Sequence, residues 1–314
     1  MLSRTADSLY WLARYSERAE NIARMLDVSH RSALVPTAGG ASDDWAGVLA
    51  ITGNTSAFAE RFPKADADSV VAFLVLDPNT PSSISSCLRR ARENGRAVRG
   101  AITTEMWEVL NETWLEMQTR DAARIAADGV TRFCDWVKER SHLFRGVTMG
   151  TMLRDDAFQF LRLGTFLERA DNTARLLDVK YHALLPQPGA GTGMVDYYQW
   201  AALLRSVSAL RAYNRLYHES IHPARVAELL VLRDDMPRSL IASYKEIDGA
   251  FKELRELYRI DYESSRLAGE MYVRLRYGRM ADIVAGGLRN FLNDFIARTG
   301  RLGDQISRDF QLTA

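Results

Sequence analysis

A chain of 314 residues, 47% hydrophobic and 26% charged with only eight prolines, can bury a core and is neither disordered nor fibrous in composition. Its 41 Lys and Arg against 40 Asp and Glu leave a net charge of +1, which argues against a broad phosphate-backbone footprint and so against nucleic-acid binding. Cys87 and Cys134, the only cysteines, are too few for a disulfide framework and have no zinc-finger spacing, so a reducing cytoplasm is the expected setting.

The chain begins with Met1–Leu2–Ser3–Arg4 and runs into a charged amphipathic segment carrying Arg14, Glu17, Arg18, Glu20 and Arg24, which cannot serve as the apolar core of a signal peptide. No apolar run approaches the roughly 20 residues that cross a bilayer, so a soluble, unexported protein without a membrane role is expected. Apolar residues recur at three and four, the period of helices, and Leu12, Tyr15, Ala19, Ile22 and Leu26 make one stripe. Leu34–Asp44 is a proline and glycine loop; Trp45 follows it. In Val70–Ile84 (VVAFLVLDPNTPSSI), Asp77–Pro81 reads as a turn that places Pro81 in the first turn of the next helix. Glu105, Glu108, Glu112 and Glu116 share a helix with Trp107 and Trp114, a solvated acidic face beside a buried aromatic one. Glu139–Arg140–Ser141–His142 supplies one E-x-x-H, whereas a di-iron bundle site needs two and two further carboxylates.

Near residue 146 the order of features starts again. Phe160–Val179 (FLRLGTFLERADNTARLLDV) lies over Leu9–Val28 (LYWLARYSERAENIARMLDV) without a gap. Half of the positions are identical, among them Glu17/Glu168, Arg18/Arg169, Asn21/Asn172 and Arg24/Arg175. The loop Leu185–Gly193 matches Leu34–Asp44, Trp200 matches Trp45, and Val226–Leu240 (VAELLVLRDDMPRSL) lies over Val70–Ile84 with Pro237 over Pro81. The expected fold is therefore all-α, a helical bundle of two tandem pseudo-twofold-related repeats, residues 1–146 and 147–314, in one body. Tyr197, Tyr198, Tyr213, Tyr217, Tyr258, Tyr262, Tyr272 and Tyr277 enrich the second half in tyrosine, read first as aromatic core with polar tips and in the alternative as a binding surface.

At 100° per residue Glu17, Asn21 and Arg24 fall within about 60° of one another, opposite the apolar stripe, and Glu168, Asn172 and Arg175 repeat the placement. Three readings stand. The face is solvated, with Glu20–Arg24 and Asp171–Arg175 as i,i+4 pairs; or the two long helices pack through a satisfied Glu–Arg–Asn network; or the side chains line a cleft in which Arg18, Arg24, Arg169 and Arg175 hold carboxylates or phosphates.

His218–Glu219–Ser220–Ile221–His222 spells the H-E-x-x-H of zinc proteases, in which two His one helical turn apart share the metal. Pro223 follows at once and biases His222 away from helical angles, so the imidazoles are not expected to share a metal. There is no P-loop, no strand-flanked G-x-G-x-x-G and no G-x-S-x-G, so no cofactor is expected and serine hydrolysis has no support.

The segments around Leu12–Asn21 and Leu163–Asn172 resemble the bacterial alpha-E domain family, named for its helices and an E-R motif, and the likeness spans nearly the whole chain. Ala13 and Thr165 depart from the glycine and arginine expected there. The resemblance implies a helical protein whose relatives are encoded beside circularly permuted ATP-grasp ligases and transglutaminase-like proteins, and marks Glu17–Arg18 and Glu168–Arg169 as the signature positions. The expected function is that of an accessory or substrate-binding protein for an ATP-grasp-type amide (peptide) ligase. The alternatives are a stand-alone enzyme with Glu17 and Glu168 as acid or base groups, and a purely structural helical scaffold.

Overall fold

A computed structural model describes residues 1–33, 45–184 and 194–312, and every regular element among them is helical. In chain order these are α1 (Ser3–Ala33), α2 (Trp45–Ile51), α3 (Thr55–Ala59), α4 (Ala67–Val71), α5 (Ile84–Ala97), α6 (Thr104–Gln118), α7 (Ala122–Asp128) and α8 (Val130–Thr151). There follow α9 (Asp156–Leu184), α10 (Met194–Ser206), α11 (Leu210–Tyr217), α12 (Pro223–Val231), α13 (Leu240–Tyr258), α14 (Glu263–Arg276), α15 (Met280–Ala285) and α16 (Leu288–Asp309). The two loops read from the sequence, Leu34–Asp44 and Leu185–Gly193, lie outside the described residues.

The two longest helices, α1 and α9, are the axis of the molecule. Asp156 meets the amino group of Met1 at 3.2 Å, Gly164 meets the Tyr10 carbonyl, and Arg169 meets Glu17. Contacts therefore advance together along both chains, and the helices run parallel. Against α1 pack α5, α8 and α10; against α9 pack α13, α16 and α2, with α6 bridging α5 and α8 and α14 bridging α13 and α16. Because α1 is surrounded, its apolar stripe and its charged side are both withdrawn from water: Leu12 and Leu26 are fully buried, and so are Glu17, Glu20 and Asn21. Residue 146 falls inside α8; the chain turns at 152–155.

The turns before α5 and α13 differ from the sequence expectation in one detail. Pro81 and Pro237 stand two residues ahead of the N-cap, outside the first helical turn, and the caps are Ser83 and Ser239. Ser83 Oγ accepts from Ser86 N at 3.1 Å and donates to the Asp77 carbonyl at 2.6 Å; Ser239 Oγ accepts from Ala242 N at 3.1 Å and donates to the Arg233 carbonyl at 2.6 Å. Each serine satisfies an orphan helix donor and ties it to the preceding turn, so the helix starts where the cap can act.

Other side chains fall as their surroundings dictate. Glu105, Glu108 and Glu112 are exposed, whereas Glu116 is half-buried and accepts from Trp136 Nε1 at 2.6 Å. Of the tyrosines, Tyr213 is buried and bonded to the Ser220 carbonyl, whereas Tyr197, Tyr198 and Tyr277 are exposed.

Candidate functional site

The signature glutamates and arginines do not pair within their own helix; they pair across the α1–α9 junction. Arg169 grips Glu17 with Nε and Nη2 at 2.9 and 2.8 Å, and Arg18 grips Glu168 with Nε and Nη2 at 2.6 and 2.9 Å. Both are two-pronged guanidinium–carboxylate pairs, the strongest geometry for that chemistry. Each carboxylate has a second arginine: Arg238 Nη1 reaches Glu17 at 3.0 Å and Arg14 Nε reaches Glu168 at 2.9 Å. Arg14 lies over the Trp11 ring and Arg169 over Phe166, at 4.8 and 4.9 Å from the ring centroids, which fixes both forks.

Around Glu17 the cluster extends further. Glu20, fully buried, accepts from Arg24 Nε at 2.9 Å and from Ser141 Oγ at 2.6 Å, and is also held by Arg238 and by Arg145 of α8. Arg238 donates to Asn21 Oδ1 at 2.9 Å, and Arg24 continues to Ser208 Oγ at 2.6 Å and His142 Nε2 at 3.1 Å. The solvated reading of this face is thus excluded at Glu17, Glu20, Asn21 and Arg24. In α9, Arg175 pairs among the described residues with Asp171 alone, at 2.7 Å and with its side chain 41% exposed, and half-buried Asn172 makes no bond to a described member of the network.

Burial alone would raise the Glu17 and Glu20 carboxyls; Arg169 and Arg238 overcome it at Glu17, and the His142 hydrogen bond together with Arg238, Arg145 and Arg24 overcomes it at Glu20, holding both below the ordinary carboxylate range. Burial also opposes ionisation of Glu168, yet Arg18 and Arg14 bring it down to about 2. Burial and the repulsion of Arg169 and Arg24 outweigh Glu17 and Glu20 at Arg238, lowering it to about 10. The depressed Glu168 contributes stability that is complete above its ordinary pKa of 4.5 and is lost as pH falls toward about 2. The loss should come to about 3 kcal/mol, taken as 1.36 kcal/mol per pKa unit. Urea denaturation from pH 7 to pH 2 should show this slope in the native chain and a flatter one in Glu168→Gln; parallel curves would contradict it.

Sequence reasoning did not find Arg14, Arg145 or Arg238 as members of the cluster, and took Glu20 only as the i,i+4 partner of Arg24. Arg238 carried a signal: it follows Pro237 in the matched segment, where the first copy has Ser82. Ser82 instead accepts from Asn54 Nδ2 at 2.9 Å.

The H-E-x-x-H segment is not helical. His218 ends α11 in the left-handed conformation at φ 50°, and His222 caps α12 with Pro223 in its first turn. Among the described residues no group of three His, Cys, Asp or Glu converges as a metal site requires. Glu139 is exposed, and its motif partner His142 serves Arg24.

Comparison with known proteins gives a family and no fold precedent. The Alpha-E model, described as a predicted alpha-helical domain with a conserved ER motif, matches residues 1–310. Uncharacterized proteins of Mycobacterium bovis and of two strains of Mycobacterium tuberculosis are each 26% identical over 314 residues, covering 94% of this chain and 35% of the relative. The chain thus spans about a third of the length of these relatives. No solved structure matches.

Proposed function

The chain belongs to the Alpha-E family, and on that premise we propose that it is a cytoplasmic accessory or substrate-binding protein of an ATP-grasp-type amide (peptide) ligase system. Its partners in this reading are the circularly permuted ATP-grasp protein and the transglutaminase-like protein that the family resemblance implies. The observation that carries the binding reading over the catalytic one is the double arginine clamp on Glu17 and Glu168. A carboxylate held well below neutral by two guanidinium groups cannot donate a proton at pH 7 and is a weak base, so the signature pair builds the junction and leaves ligand contact to the cations beside it.

The chain is best understood as two tandem repeats in one body related by a pseudo-twofold axis. Support comes from the reciprocal Glu17–Arg169 and Glu168–Arg18 pairs, the matched serine caps, and the like sets of neighbours around α1 and α9. In this arrangement α2 packs on α9 and α10 on α1, so neither repeat buries its long helix alone.

Co-purification of the full chain with the neighbouring ATP-grasp and transglutaminase-like proteins, followed by ATP-turnover assays with and without the chain, tests the proposal. A stable complex with altered turnover is expected. Absence of both association and any effect on turnover would refute it, and a Glu17→Ala variant that kept full stability while losing an activity of the isolated chain would favour the enzyme reading.

A further inference from the structure

The cluster around Glu20 holds more positive charge than its own acids neutralise. Four arginines, Arg24, Arg145, Arg169 and Arg238, converge on two carboxylates, Glu17 and Glu20. Glu246, the further acid that acts on Arg169, already pairs with Arg162 at 2.8 Å. Three of the arginines are almost wholly buried, where an uncompensated charge is costly. The same place is short of hydrogen-bond acceptors: buried Asn21 finds no acceptor for its Nδ2 among the described residues.

The cluster meets the surface on one side. Arg145 is 36% exposed at its side chain and His142 55%, both on α8, and Ser208 is exposed in the turn between α10 and α11. Ser208 adopts φ 55°, a left-handed conformation unfavourable for a residue with a side chain, and its Oγ meets Arg24. Arg145 donates only through Nη2, to Glu20 and Ser141, and no acceptor among the described residues takes its Nε or Nη1. His142 Nε2 meets Arg24 Nη2 at 3.1 Å and Glu20 Oε1 at 3.5 Å, which sets its ring at the mouth beside Arg145.

The geometry points to an oxyanion-binding site at the mouth formed by Arg145, His142, Ser208 and Arg24, taking a phosphate or carboxylate group of a small ligand. The free Nη1 of Arg145 and the hydroxyl hydrogen of Ser208, whose oxygen already accepts from Arg24, can each donate to an oxygen of such a group, and the entering charge offsets the arginine excess beneath. The site deepens the binding role proposed above by naming the ligand's chemistry, and it rests on that reading only for the ligand's biological source.

The purified chain is titrated at low ionic strength, by calorimetry and by thermal melting, with inorganic phosphate and separately with glutarate; sodium chloride at matched ionic strength is the control. Saturable binding of at least one anion is expected, with a rise in Tm of several degrees that chloride does not reproduce. Arg145→Gln should weaken it tenfold or more and His142→Ala severalfold, while Arg298→Gln, on α16 and paired with Asp294, should leave it unchanged. Arg145→Gln keeps Arg24 and Arg238 on Glu20, and its melting curve without anion reports its folding. Saturation by one anion alone identifies the group recognised. No saturation by either, or equal affinity in Arg145→Gln, would overturn the site. Anion binding without complex formation would leave this inference standing while the ligase partnership failed.

Discussion

Glu20→Ala is expected to cost about 3–5 kcal/mol, the range for removing one partner of a buried ion pair, and urea denaturation should show it as a large fall in midpoint. The reason is the charge balance. Glu20 is fully buried and is the common acceptor for Arg24, Arg145 and Arg238; without it, Arg24 loses its carboxylate and Arg145 and Arg238 must share Glu17 with Arg169. Removing a cation from the same cluster has the opposite electrostatic sense. Arg145→Gln relieves repulsion and loses a pair that is partly solvated, so its cost should stay below about 1 kcal/mol. Equal losses in the two variants would show that the cluster is not governed by its arginine excess.

The second large effect is expected at Gly164. An alanine replacing glycine within an exposed helix normally stabilises by about 1 kcal/mol. At Gly164 the added Cβ would stand 2.2 Å from the Tyr10 carbonyl oxygen and 3.0 Å from Ala13 Cβ. The obstruction is backbone, so α1 and α9 must move apart, and Gly164→Ala should destabilise by about 3 kcal/mol, at the upper end of ordinary overpacking. Separation also lengthens the Glu17–Arg169 and Glu168–Arg18 bonds a turn further along, so Glu168→Gln should cost less in the Gly164→Ala background than alone. Gly146 provides the control: it is in α8 with nothing within 4 Å of a built Cβ, and Gly146→Ala should be neutral or stabilising. A neutral Gly164→Ala would mean that the long helices are not in close contact at this point.

Much of this architecture was legible beforehand because helical periodicity is local. The spacing of Leu12, Ala19, Ile22 and Leu26 specifies a helix and its buried stripe, and the repeated Glu-Arg-Ala segment marks the two helices that meet. The turns at Asp77–Pro81 and Arg233–Pro237 were legible for the same reason, although their helices begin at the serines, because a side-chain cap is a three-dimensional contact and proline is only a preference of φ.

What the sequence by itself determined is the helical class, the matched segments and the charged side of α1 and α9, all set by the 3.6-residue period acting within a few turns. Only the tertiary structure decided which guanidinium meets which carboxylate. Arg145 and Arg238 reach Glu20 across 125 and 218 residues of chain, and Arg169 reaches Glu17 across 152. It also decided that Arg175 stays half in water while Arg24 is buried, since the partners of Arg24 arrive from α8 at His142 and from the turn between α10 and α11 at Ser208. A helical period names the face a residue occupies; the identity of the opposing helix follows from packing the whole chain, which no local pattern encodes.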